Sequence, residues 1–147
     1  MNKEALKNKL IQLQYESIAS LEEKIATTHS MVDVDESDTI DPEDLSHQTE
    51  SGESESLFRK QLTKARLDLS TFEHLDMSPK SSVEPGAYVV TENFNFIVGC
   101  ATTPFDFEGQ HIIGVSPDSP IFQEMKNLTK GDSFSVSGNN YTIKEIH

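Results

Sequence analysis

The chain has no Trp, and 8 Phe with 3 Tyr are its only Phe, Tyr or Trp residues. Hydrophobic residues reach 35% of 147 positions, low for a single packed globule. A two-helix hairpin beside a small domain suits that composition, because each hairpin helix buries only one stripe. A single cysteine, Cys100, excludes an internal disulfide and fits a reducing compartment, and it reads as a buried core thiol in a strand. No apolar run is long enough to span a bilayer, and residues 1–20 lack the apolar core of a secretory signal, so a cytoplasmic protein is expected. Basic residues are scarce as well, 12 Lys and Arg against 25 Asp and Glu, for a net charge of −13. Without a basic stripe to displace counterions, direct binding to a nucleic-acid backbone is not expected. A partner of the acidic surface should be a basic surface or a metal ion.

The negative charge that is present is concentrated. Residues 33–56, DVDESDTIDPEDLSHQTESGESES, hold ten acids and no Lys or Arg. Like charges at this density repel, so most of the stretch is expected to be loop. Asp41 and Pro42, followed by Glu43 and Asp44, make a helix-start signal, and a short turn is expected over 42–47 before Gly52 breaks it.

Helical patterns flank this stretch. Residues 3–30 read as one helix, and Ile11, Ile18, Ile25 and Val32 recur every seven residues. Leu21 holds the alternate seam register, with Gln14 and Thr28 as polar members of it. Leu6, Leu10 and Leu13 widen the apolar face near the start, so that end should pack on something further. In residues 55–75, Phe58, Leu62, Ala65, Leu69 and Phe72 step by four and three, which is an a/d seam. Glu53 and Glu55 suit its first turn through the helix dipole. Two seams joined by an acidic loop predict an antiparallel coiled-coil hairpin over 1–75, with its tip at about 33–56. Asp76–Ser82, DMSPKSS, reads as a linker.

From Val83 the periodicity changes to strands. Ala87–Thr91, Asn95–Cys100 and Gln110–Val115 are candidates, with Glu92-Asn93 as a turn. Pro117–Asn127 reads as a short helix, with Ser119 as cap and Pro120 in the first helical position. Ser133–Val136, a hairpin signal at Gly138-Asn139-Asn140, and a last strand through Tyr141, Ile143 and Ile146 complete the pattern. The fold class is therefore α+β, a helical hairpin followed by a small sheet domain (83–147) with one short helix.

In that order, Ile113-Gly114-Val115-Ser116, Ser119-Pro120, Lys130-Gly131-Asp132 and Tyr141-Thr142-Ile143 resemble the C-terminal pattern of the GreA/GreB family of bacterial transcription elongation factors. Val83 with Gly86 resembles its opening strand, and Phe96-Ile97-Val98-Gly99 its second. The match covers about 65 residues and rests on order and spacing rather than on one motif. The resemblance implies an FKBP-like C-terminal domain that binds RNA polymerase, with Ser119, Pro120, Gly131 and Asp132 in the partner-binding region. It also implies a coiled coil that enters the polymerase's secondary channel. There, acids at the tip help hold a Mg2+ ion shared with the polymerase, which promotes cleavage of backtracked RNA. The factor would have no cofactor of its own and would assist the polymerase rather than act as an enzyme. It is expected to be a monomer without membrane contact.

The family's tip reads Asp-Leu-x-Glu-Asn-x-Glu, and this chain offers Asp44-Leu45-Ser46-His47-Gln48-Thr49-Glu50. Asp44 matches the first catalytic acid and metal ligand, and Glu50 the last acidic position. Glu43 is a substitute beside them. His47 stands where the second Glu belongs, and imidazole suits Mg2+ poorly. Two further readings stand beside cleavage. One is a channel-binding regulator that does not cleave. The other is a structural protein whose hairpin self-associates, with the acids as solvating charge. Phe105 and Phe107 read equally as exposed partner contacts or as core. Ser116 and Ser119 lack His and acid partners for a hydrolase triad.

Overall fold

The computed structural model describes the backbone of residues 1–32 and 42–147 and the side chains of residues 1–28 and 53–147. Of the expected acidic loop, 33–56, residues 33–41 lie outside the described residues. The order of elements is α1 (Lys3–Val32), α2 (Pro42–His74), β1 (Tyr88–Val90), β2 (Asn95–Val98), β3 (Phe105–Phe107), β4 (Gln110–Val115), α3 (Pro120–Met125), β5 (Ser133–Val136), β6 (Asn139–Thr142) and β7 (Glu145–Ile146). This is the expected α+β class. The chain divides into two compact units, residues 1–11 with 70–147, and residues 12–69.

The first unit is built on a five-stranded sheet ordered β3-β4-β2-β1-β7. β2 and β4 run parallel, with Asn95 opposite Ile112 and Val98 opposite Val115. The other pairings are antiparallel. Alternation along the strands sends side chains to two apolar layers. Val89, Phe96, Val98 and Val115 join Val83, Phe122, Met125, Phe134 and Ile143 on one side. Tyr88, Ile97 and Ile112 join Leu6, Leu10, Phe72, Leu75, Met77 and Cys100 on the other. The widened apolar face at Leu6 and Leu10 thus packs on the sheet, and Leu13 is half-buried. Fully burying an aliphatic or aromatic side chain contributes about 1.5–3 kcal/mol, so a sheet covered on both faces is the main source of this unit's stability.

Several expectations change. Phe72, read as a seam residue, belongs to the sheet core, and the half-buried Ile11 packs against the same cluster. Phe105 and Phe107 form β3, an edge strand missed in the sequence, and pack half-buried on that cluster. The hairpin turn falls on Ser137-Gly138, one residue earlier than expected, with φ of 52° and 81°. The last strand is split, because Ile143 leaves β6 for the core and its N–H bonds to Asp132 O. Residues 76–82 carry a buried Met77, and Asp76 accepts hydrogen bonds from Ser78 N and Lys80 Nζ. Lys3 is buried, and its ammonium donates to the backbone oxygens of Ser78 and His147, each at 3.0 Å. Burial first, and the Lys80 charge second, hold its pKa below the usual lysine value. Gly86 is forced by geometry. Its φ is 90°, and a Cβ there would lie 1.9 Å from Asp76 O.

In the second unit α1 and α2 pack through Ile18, Leu21, Ile25, Leu62 and Ala65, with Phe58 and Leu69 half-buried beside them. Gln14 Nε2 reaches Ala65 O at 2.8 Å, and Lys24 Nζ sits 5.7 Å from the Phe58 ring centre. Rising numbers on α1 meet falling numbers on α2, so the pair is antiparallel. The second helix does not wait for Glu53. It starts at Pro42 and runs through Gly52. One interior glycine costs about 1 kcal/mol, and once nucleated a helix gains a hydrogen bond per residue. The Pro42 start with Glu43 and Asp44 in the first turn favours nucleation there.

Candidate functional site

The C-terminal site begins at a cap. Ser119 is extended, with φ −78° and ψ 150°, and its side chain accepts a hydrogen bond from Phe122 N at 3.2 Å. Pro120 follows in the first helical turn, where a missing N–H costs nothing. Phe122 and Met125 then anchor α3 in the core, leaving Ile121 half-buried. β5 and the Ser137 turn stand opposite. Between them lies an open groove of about 500 Å3 lined by Ser119, Pro120, Ile121, Glu124, Ser135, Val136 and Ser137. Apolar surface from Pro120, Ile121 and Val136 is rimmed there by three serines and one carboxylate.

The four residues expected to meet a partner separate into two pairs. Ser119 and Pro120 line the groove. Gly131 and Asp132 are not among its lining residues. Gly131 N–H donates to Ile143 O, and Asp132 Oδ2 accepts from Thr129 N at 2.8 Å and Thr129 Oγ1 at 3.2 Å. They shape the turn that launches β5. Sequence reasoning missed the β5 wall. The signal was available in Pro120-Ile121, an apolar pair on a helix too short to bury both.

The hairpin is held rigid beneath by an aromatic cluster. Phe134 and Tyr141 stack with centres 5.4 Å apart, and Phe96 meets both edge-on at 5.9 Å. From the β1–β2 turn, Glu92 accepts the Thr142 N–H with both carboxylate oxygens, at 3.1 and 3.3 Å. That bond is the first cause holding the Glu92 pKa below the usual glutamate value.

The expected tip acids lie on α2. Glu43, Asp44 and Glu50 have helical backbone, and their side chains lie outside the described residues. Six residues on a helix is about 9 Å of rise, so Asp44 and Glu50 are not neighbours on one turn. Carboxylate oxygens suit Mg2+, which uses few protein ligands and keeps several waters. Among the described residues, no group of three His, Cys, Asp or Glu side chains converges to hold a metal, and no helix is long and apolar enough to cross a membrane.

The chain is thus a mixed α+β protein, with an antiparallel helix pair and a sheet body bearing a small groove. No family model matches it, and no curated protein does. Among solved structures it is similar to GreA factor homolog 1 (Gfh1) of Thermus thermophilus, at 12% identity over 93% of this chain and 94% of that one, with a TM-score of 0.35. A likeness at that level identifies neither the fold nor the activity.

Proposed function

We propose that this protein is a transcription elongation factor of the GreA/GreB kind, which binds RNA polymerase and presents its acidic stretch within the secondary channel. The observation that carries the reading is the ordered C-terminal pattern from Ile113 to Ile143, in which Ser119 and Pro120 line an open groove. The antiparallel helix pair supports it, since the acidic residues 33–41 connect α1 to α2. The sheet body is the docking part, with Ser119 and Pro120 at the contact and Gly131 and Asp132 holding the adjoining turn.

In the cleaving form of this reading, Asp44 supplies one carboxylate to a Mg2+ ion shared with the polymerase, and Glu43 stands next to it as a substitute. Glu50 serves in a different turn. The ion, when bound, activates water and stabilises charge on the phosphodiester oxygens. This chain contributes a negative group held at the start of a helix and no complete active site. His47, at the position of the family's second acid, favours a second form, in which the protein occupies the channel and modulates elongation without cleavage. A stalled-complex assay separates the two. Cleavage stimulated by the wild type and lost in Asp44→Ala supports the first. Polymerase binding without stimulated cleavage supports the second.

A further inference from the structure

The groove between α3 and β5 carries a charge that nothing in the body answers. Glu124 lines it, and no Lys, Arg or His does. On a helix, partners for a carboxylate stand three and four residues away. Within α3 those positions hold Ile121 and Pro120, and neither is basic. Several carboxylates elsewhere in the sheet body are engaged, Asp76 by Lys80, Glu92 by Thr142 N, Asp106 by His111 and Asp132 by Thr129 N. Among the described residues, Glu124 has no hydrogen-bond or ion-pair partner.

The opposite wall carries unpaired backbone. β5 and β6 close through the two-residue turn Ser137-Gly138, which makes Val136–Asn139 a hydrogen-bonded pair. Bonded and non-bonded pairs alternate along an antiparallel ladder. Ser135–Asn140 is therefore non-bonded, and the Ser135 N–H and C=O point away from β6. The same alternation sends the Thr142 N–H away from β5, and there it meets Glu92. Among the described residues, nothing caps Ser135 in that way.

Three features thus line one opening: an apolar strip from Pro120, Ile121 and Val136, an unpaired carboxylate, and a free main-chain donor and acceptor. A segment that covers the strip shields Glu124 from water, and a charge covered without a partner is costly. An acidic segment is repelled there, and a wholly apolar one leaves Glu124 unanswered.

We propose that Glu124 is the specificity-determining residue of the groove, which takes a peptide segment carrying an apolar side chain with a Lys or Arg beside it. The inference rests on the proposed docking role, and it names the chemistry of the polymerase segment that meets Ser119 and Pro120.

The test follows the isotope-labelled full chain by amide NMR during titration with two blocked peptides, acetyl-Leu-Lys-Leu-amide and acetyl-Leu-Glu-Leu-amide. Shifts should centre on Ile121, Glu124, Ser135 and Ser137. The lysine peptide should bind about two- to fivefold tighter, the range of a partly exposed ion pair. Glu124→Gln should abolish that preference and Glu124→Lys should reverse it. A lysine in the last turn of α3 suits the helix dipole, and Glu124→Gln carries the test if the lysine variant does not fold. Glu73→Gln, at an exposed carboxylate outside the groove, should keep the wild-type preference. No binding, equal binding of the two peptides, shifts that map outside the groove, or a preference unchanged in Glu124→Gln overturns the proposal. Polymerase binding is read separately. A chain that discriminates the peptides and does not bind polymerase keeps the groove's preference and loses only its proposed partner.

Discussion

The two units solve the burial problem differently. The sheet body encloses two apolar layers, so residues such as Leu6, Val89, Ile97 and Met125 are fully out of water. The helix pair has one seam, and its most buried members, such as Leu62, Ala65 and Ile18, keep 7–8% exposure. Side chains in the body are surrounded on all sides, whereas seam residues lean on a single partner helix.

Breaking the body should therefore cost most. Gly86→Ala places a methyl 1.9 Å from Asp76 O at a φ of 90°. It should lower stability by about 4 kcal/mol or more, seen as insoluble expression or a collapsed urea midpoint. Gly114→Ala is next. Its Cβ would fall 2.5 Å from Cys100 O and crowd Thr102. Equal truncations in the two units separate the two modes of burial. Leu10→Ala, at 1% exposure, should cost about 3–5 kcal/mol, and Leu62→Ala about 2 kcal/mol, because a two-helix seam can close over the gap. Equal losses in urea denaturation would contradict the difference drawn between them.

Smaller effects come from charge. Asp76 is held well below the usual carboxylate range, by the Lys80 hydrogen bond first and the Ser78 backbone N–H second. A carboxyl with a lowered folded pKa binds fewer protons folded than unfolded. Its stabilisation is complete above the unfolded value near 4 and is lost as pH falls through the lower folded value. Asp76→Asn should flatten the acid limb of a stability–pH curve and leave the neutral limb parallel to wild type. The smallest change is expected from Glu92→Gln. The Thr142 amide should exchange faster with deuterium, with little shift in the thermal midpoint.

How much of this was legible follows the same division. Strong periodicity placed α1, and β4 and β5 matched in both limits, because alternation and heptads report burial directly. The Ser119-Pro120 cap was readable from local chemistry. Phe72 was misplaced because an a/d pattern shows that a residue is buried but not what buries it. The short β3 escaped because three residues between Pro104 and Glu108 carry too little alternation to be seen. Gly52 was read as a breaker on propensity, which a helix with an established start and a long packed continuation overrides. For the site, the Ser119 and Pro120 side of the groove was visible, but its Ser135–Ser137 wall comes from a different strand, and pairing at a distance leaves no local mark. Asp44, Glu50 and Glu43 were proposed from motif order, which says which residues to test and not how their carboxylates are arranged.

The proposed role is action on RNA polymerase through the secondary channel. The most direct measurement is binding of the full chain to its cognate core polymerase, with competition by a ligand already known to occupy that channel. Association at micromolar concentration or tighter is expected, displaced by the competitor and weakened by Pro120→Ala. No association at micromolar concentration, or association that the channel ligand leaves untouched, would contradict it.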